Sequence, residues 1–168
     1  ITGSADLSGT RVAIAMQVAE MLGLPVDDVV PTVVDTDSVG FTGNSGGSRI
    51  TFDTGRAALT ASEGVIRQMA ERAALIWEVS PEDVEFRRGV FISGKGPEDR
   101  LSFKDLAGRL METGGPVTAS ASDAQGGVGA QLAGNIADVE VDPETGKVDV
   151  LRYTTFLDVG QAVHPSYV

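Results

Sequence analysis

The stretch from Ser45 to Val79, SGGSRITFDTGRAALTASEGVIRQMAERAALIWEV, joins a loop of glycine and hydroxyl residues to the longest amphipathic pattern in the chain. Ala58, Val65, Met69, Ala73 and Ile76 recur at helical spacing, while Glu63, Arg67, Glu71 and Glu78 fall largely on other faces. This spacing predicts a long helix from about Gly55 to Val79. The loop ahead of it, Ser45-Gly46-Gly47-Ser48-Arg49-Ile50-Thr51, has the composition of an anion cradle. Glycine lets backbone N–H groups approach a ligand, serine and threonine add donors, and a helix start presents unsatisfied amides at the positive end of its dipole. Arg49 suits bidentate pairing with an anion and equally a solvated surface, and Gly-Gly-Ser runs also occur in ordinary loops.

A second junction of this kind, Asp6-Leu7-Ser8-Gly9-Thr10, precedes Val12, Ala15, Ala19 and Leu22 at helical spacing, with Gly23 where a left-handed C-cap belongs. Ser8 or Thr10 suits a helix cap as well as an anion contact. Together the two junctions suggest a clamp that grips an anion at more than one point. After Gly23, Leu24-Pro25-Val26-Asp27-Asp28 reads as a turn, and Val29 to Val34 as a strand that Pro31 demotes to a sheet edge or bulge. Ser80-Pro81-Glu82-Asp83 turns into a strand at Val84-Glu85-Phe86, which Arg88-Gly89 returns as Val90-Phe91-Ile92. The two helix–turn–strand passages form a weak internal repeat. Ser102-Phe103-Lys104-Asp105 resembles a capping box, opening a short helix through Leu106 and Leu110 that Gly114-Gly115 closes. Residues 118–130 read as an irregular loop, and Ile136 to Val141 and Val148 to Leu157 as a hairpin about Asp142-Pro143-Glu144-Thr145-Gly146. The expected class is α/β in its α+β form: a mixed β-sheet with packed helices and duplicated helix–strand units. Residues 1–168 are expected to be part of one domain, with room for two small lobes at about 1–95 and 96–168.

Composition narrows the chemistry. The 168 residues are 42% hydrophobic, enough for a packed core, and carry a formal net charge of −11. That charge opposes attraction to nucleic acid or an anionic membrane, so an anionic ligand must be held by local donors. With no cysteine and one histidine, His164, the segment holds no disulfide, thiolate zinc site, iron–sulfur cluster or multi-histidine metal site. Asp35, Asp37 and Asp53 are scattered acids that read as solvated rather than metal-ligating. His164 reads as structural or exposed, and Trp77, Met69 and Met21 as core. No catalytic triad, metallohydrolase or Walker motif is present. Neither a membrane-spanning apolar run nor a leader pattern occurs, which predicts a cytoplasmic chain without membrane insertion. Ile1-Thr2-Gly3-Ser4 reads as a strand already under way, so the chain is expected to be an internal fragment.

Several motifs stand in one order along the chain. They are Gly3-Ser4-Ala5-Asp6-Leu7-Ser8-Gly9-Thr10-Arg11, Gln17-Val18-Ala19-Glu20-Met21-Leu22-Gly23, Asp35-Thr36-Asp37, Gly46-Gly47-Ser48-Arg49-Ile50-Thr51 with Gly55, Val139 to Gly146, and Asp158-Val159-Gly160. In this order they resemble the molybdopterin-binding large subunit of the xanthine dehydrogenase, aldehyde oxidase and carbon monoxide dehydrogenase family. The resemblance implies part of a molybdenum hydroxylase, in which a molybdopterin cofactor carries the metal on its own sulfurs and water supplies the oxygen inserted into a C–H bond. It implies as partners the remainder of the large subunit and iron–sulfur and FAD subunits or domains, in keeping with the absence of cysteine. Carried over by position, Ser8, Gly9 and Thr10 match the family's first glycine loop on the cofactor, and Gly46, Gly47, Ser48, Arg49 and Thr51 its later glycine-serine loop. Many members have Gly-Gln-Gly where this chain has Ser8-Gly9-Thr10, and Asn-Pro where it has His164-Pro165. The family's general base, a glutamate in a Gly-Glu motif, has no match here, so residues 1–168 alone are expected to be inactive. Two other classes stay open: a non-catalytic αβ domain that packs against subunits, and a nucleotide-phosphate-binding domain, whose fingerprint spacing neither loop follows.

Overall fold

The computed structural model describes residues 1–35, 37–40, 42–94, 96, 99–123 and 130–167. Thr36, Val168 and residues 124–129, which belong to motifs or loops read above, lie outside the described residues. The chain groups into two compact units, Ile1–Gly126 and Gly127–Val168. Helices and antiparallel sheets together make the expected mixed α/β class.

In the first unit, helix α1 (Thr10–Leu22) has the predicted bounds and ends on Gly23 in the left-handed conformation. It buries Ile14, Ala15, Ala19 and Leu22. Val12, expected on that face, is instead exposed, because the buried stripe runs through Ile14. The N-terminus of α1 is held by Asp6. One carboxylate oxygen accepts from the Arg11 amide at 3.1 Å and the other from Arg11 Nη2 at 2.6 Å, so a single acid meets both the helix dipole and a cation.

Helix α2 (Ile50–Trp77) starts earlier than its apolar period suggests. Its first turn, Ile50 to Asp53, lies ahead of the stripe, and its two apolar residues, Ile50 and Phe52, stand two apart rather than at helical spacing, so periodicity alone hides it. Met69 and Ala73 are fully buried and meet Phe91 and Leu106, also fully buried, in the core of this unit. Strands β1 (Val84–Arg87), β2 (Val90–Ser93) and β3 (Arg100–Ser102) form an antiparallel sheet in the order β1-β2-β3. Phe91 lies 4.7 Å from Phe86 and 6.1 Å from Phe103, centroid to centroid, so the sheet meets α2 through an aromatic cluster. Helix α3 (Phe103–Gly108) follows β3 directly, and Ser102 caps it by accepting from the Asp105 amide. The serine half of the expected capping box is therefore present, while the Asp105 carboxylate accepts from the Ser102 hydroxyl at 2.6 Å. β3 was not expected, and its shortness leaves no period to read.

The strand expected at Val29 to Val34 does not form. That stretch makes one parallel bridge, Thr2 to Val33, and Val30 is 79% exposed. A β-branched run without neighbours to pair with stays extended but unladdered.

At one point in the unit two backbones pack against each other with no side chain between them. A Cβ on Gly23 would overlap Gly89 and Arg88 main-chain atoms, and one on Gly89 would come within 2.5 Å of the Gly23 carbonyl oxygen. Gly89 also accepts from the Phe103 amide at 2.8 Å, and Lys104 pairs with Asp28 at 2.6 Å, so the end of α1, the β1–β2 turn and the start of α3 converge there.

The second unit is a ribbon of β4 (Leu132–Val141) and β5 (Val148–Asp158), antiparallel, with a bulge between Asp138 and Val139. Asp142 organises the turn, accepting from the Glu144 and Thr145 amides and from the Thr145 hydroxyl. These bonds hold its carboxyl below the ordinary value, the Thr145 hydroxyl foremost.

Gly23→Ala and Gly47→Ala separate overlap from strain. Both glycines have positive φ, which costs about 1–2 kcal/mol for alanine, but a Cβ on Gly47 would meet nothing. Gly23→Ala is expected to cost about 1–3 kcal/mol more than Gly47→Ala in urea unfolding followed by Trp77 fluorescence. Equal losses would mean the glycine contact does not constrain the fold.

The Asp6 carboxyl is held below its ordinary 3.8, first by the Arg11 side chain and then by the Arg11 amide. A depressed folded-state pKa gives stability that is present above the unfolded value and lost as pH falls through the folded one. Asp6→Asn should therefore lower the thermal midpoint near neutral pH, with the gap to the parent closing as pH drops below 3.8. A gap that persists into acid would assign the effect to something other than the carboxylate charge.

Candidate functional site

The residues singled out for anion binding lie in two loops of the first unit, each ending at a helix start. The backbone is left-handed in both. Ser8 has φ 53° and Gly9 φ 80°, while Gly47 has φ 62° and Ser48 φ 55°. Serine at such a φ costs about 1–2 kcal/mol, and strain of this kind concentrates where backbone groups are aimed at a ligand.

The two loops differ in what already occupies them. At the first, Gly9 caps α1 without a side-chain bond, Thr10 Oγ1 accepts from the Leu7 amide at 3.2 Å, and Asp6 holds the Arg11 amide. A carboxylate of the chain thus sits where an external anion would. At the second, Ser48 hands over to Arg49, which is right-handed at φ −91° and caps α2 without a side-chain bond. A left-to-right change between successive residues turns their N–H groups toward one side, the geometry of a backbone nest. Residues 42–49 are exposed, and Thr51 is half-buried in the first turn of α2.

Arg49 spans this loop. Its Nη2 reaches the Asn44 carbonyl at 3.5 Å, its Nε lies 3.6 Å from Asp53, and a Cβ on Gly43 would come within 2.9 Å of Nη2. A guanidinium has five N–H donors, so these contacts orient it without exhausting it. The donors at 47–51 are backbone amides, hydroxyls and a guanidinium, a set that fits a phosphate-bearing cofactor.

Two residues outside the predicted set fix the first turn of α2. Gln17 Nε2 donates to the Thr51 carbonyl at 3.3 Å, and a Cβ on Gly55 would overlap the Gln17 amide. The Ser4 and Thr54 hydroxyls lie 2.7 Å apart, tying the approach to the first loop to the same turn. Arg56 pairs with Asp123 at 2.9 Å and lies over the Phe52 ring, 5.5 Å from its centroid. Nothing local in the sequence signals these long-range partners. The Asp6–Arg11 pair had a local signal in an acid ahead of a helix start.

The acids weighed as metal ligands have other roles. Asp35 accepts from the Asp37 amide and from the amide and hydroxyl of Ser38, which holds its carboxyl below the ordinary value, the Ser38 hydroxyl foremost. Asp53 faces Arg49. Among the described residues no group of acids or histidine is arranged to hold a metal ion, and no helix is long and apolar enough to cross a membrane. His164 is half-buried beside the turn at Pro165–Tyr167.

The chain is 26% identical over 97% of its length to the 6-hydroxypseudooxynicotine dehydrogenase complex subunit gamma of Paenarthrobacter nicotinovorans, covering 21% of that protein. It is 28% identical over 98% of its length to the probable hypoxanthine oxidase XdhD of Escherichia coli K12, covering 17% of it. The chain thus spans about a fifth of the length of these relatives. Among solved structures, the carbon monoxide-reduced Cu,Mo-CO dehydrogenase matches with a TM-score of 0.78 at 22% identity, over 98% of this chain and 22% of that one. Quinoline 2-oxidoreductase from Pseudomonas putida 86 matches with 0.71 at 22% identity, over the same shares. These likenesses give the fold. The model of the molybdopterin cofactor-binding domain matches residues 1–168, from end to end, and the chain belongs to that family.

Proposed function

We propose that this chain is part of the large subunit of a molybdenum hydroxylase, and that Gly46, Gly47, Ser48, Arg49 and Thr51 contribute to the clamp on its molybdopterin cofactor. The observation that carries the reading is the handover from left-handed Ser48 to right-handed Arg49 at an uncapped helix start. When bound, the cofactor supplies the redox chemistry by which oxygen from water enters a substrate C–H bond. The chain's part is to hold and orient it. Amides at 48–51 and the Arg49 guanidinium, with Asp53 3.6 Å from its Nε, offer local donors to an anionic group, which suits a chain whose net charge of −11 offers no long-range attraction. Ser8, Gly9 and Thr10 form the weaker side of the clamp, because Asp6 already holds an amide of α1 and Thr10 already accepts from Leu7.

No residue of 1–168 matches the family's glutamate base, so turnover belongs to the whole subunit. The partners proposed are the remainder of that subunit and iron–sulfur and flavin domains, which would carry the electrons that a segment without cysteine cannot hold on a cluster. A cytoplasmic setting is proposed with them.

Ser48→Ala and Arg49→Ala in the full-length subunit test the clamp by molybdenum and pterin content per folded molecule. A lost charge-assisted hydrogen bond is worth about 1.5–3 kcal/mol, or about ten-fold or more in affinity. Arg49→Ala should therefore deplete the cofactor at limiting supply by about ten-fold, and Ser8→Ala by less, with thermal midpoints of the apo subunits little changed. Lower stability with undiminished cofactor content would favour the non-catalytic packing domain instead.

A further inference from the structure

The β4–β5 ribbon has two unlike faces. Cross-strand partners share a face, so the register assigns each residue. Val139 pairs with Val150, Val141 with Val148, Ala137 with Tyr153 and Ala133 with Leu157, all on one side, where Asn135 opposite Thr155 is the one polar pair. No charged residue stands on that side along the whole ribbon. The other side carries Asp138 opposite Arg152, 2.8 Å apart, and Glu140 opposite Asp149, with Ile136 and Phe156 farther from the turn.

The uncharged face depends on the bulge. Val148 and Val150 have one parity along β5, and Tyr153 and Leu157 the other. Regular pairing would turn the second pair to the charged side. Leu151 is the extra residue between the Val139–Val150 and Asp138–Arg152 pairs, and it restores all four to one face. Yet that face is open. Val139 is 46% exposed, Val150 and Tyr153 62% each, and Leu157 57%. A two-stranded ribbon in water is at best marginal, and a soluble chain rarely presents a long apolar face to solvent.

We infer that this uncharged face packs against an apolar layer supplied by the same subunit polypeptide, from sequence outside residues 1–168. Two observations choose that occupant. Interfaces between separable proteins keep about the polarity of ordinary surface, whereas a face without charge has the composition of an interior. The relatives are several times longer, this chain covering 21% and 17% of them, so most of such a subunit lies outside this segment. The inference rests on register and length, and failure of the cofactor clamp leaves it standing.

Single cysteines at Val150 and Tyr153, compared with Glu140→Cys and Asp149→Cys on the charged side, test it in the full-length subunit. Modification by N-ethylmaleimide is read peptide by peptide in a mass spectrometer. Val150→Cys and Tyr153→Cys should react at least about ten-fold more slowly than the two controls in the subunit alone, at every dilution, and equally fast in urea. Equal rates in the folded subunit would overturn the inference. Protection that appears only when partner subunits are added would assign the face to another chain, and protection lost on dilution would assign it to a second copy. Should a variant fail to fold, hydroxyl-radical oxidation of Tyr153 in the unsubstituted subunit decides. Protection relative to the urea-unfolded chain supports the inference, and equal oxidation overturns it.

Discussion

The contact between Gly23 and Gly89 is the constraint on which the first unit depends, because it joins elements distant in sequence without any side chain between them. Gly23 ends α1 by turning its backbone left-handed, its amide directed to the Ala19 and Glu20 carbonyls. That turn brings the chain against the β1–β2 connection, where only a residue without Cβ can stand on either side. The same Gly89 carbonyl receives the Phe103 amide, so the start of α3 is set by the same point. Farther along α1, Gly55 plays the matching part on α2, lying under the Gln17 amide. α1 buries only small or medium side chains, Ile14, Ala15, Ala19 and Leu22. Its hold on the rest comes from close approach more than from buried area.

This arrangement separates the stable part of α2 from the part that offers donors. Met69 and Ala73 lock the helix to Phe91 and Leu106. Its first turn is held by Gln17 at Thr51 and by Ser4 at Thr54. The loop ahead of that turn contributes nothing to the core and is open to solvent. A strained Ser48 is tolerable there because rigid structure begins two residues later, and donors on a loop anchored by a rigid helix can be placed without rebuilding the fold. The first loop has the same backbone form, but its helix start is met by the chain's own Asp6. One terminus is thereby met by a carboxylate of the chain itself, and the other carries no side-chain cap.

What the sequence made legible was whatever is decided locally. The bounds of α1, its Gly23 cap, the Ser102 cap of α3 and the two hairpin turns rest on residue types a few positions apart, and all appear where the pattern puts them. The start of α2 was missed because Ile50 to Asp53 carry no apolar period. The strand at Val29 to Val34 failed because β-branched residues state a preference and a neighbouring strand must satisfy it, while only Thr2 is there. At the site, composition pointed to both loops but could not distinguish them. The difference lies in Asp6, an acid ahead of a helix start, whose local signal composition alone does not weigh. Gln17 and Ser4 act across the fold and leave no local mark.

The internal repeat shows how far local chemistry reaches. Both long helices end on a left-handed residue, Gly23 or Glu78, and both then enter a tight 3₁₀ turn rich in acids, Val26–Asp28 or Pro81–Asp83. Each turn leaves through an extended valine, Val29 with φ −104° and Val84 with φ −99°. Beyond that point the copies part. Val84 pairs with Ser93 and becomes β1, whereas the chain after Val29 finds a single bridge. The caps differ for the same reason. Glu78 bears a left-handed φ of 53° with its side chain exposed, a strain the helix end can absorb. Gly23 stands against another backbone, where strain would be joined by overlap, so glycine is required at one copy and dispensable at the other. Repetition in sequence has therefore set the two turns, and the tertiary neighbours of each turn have decided whether the next segment becomes a strand.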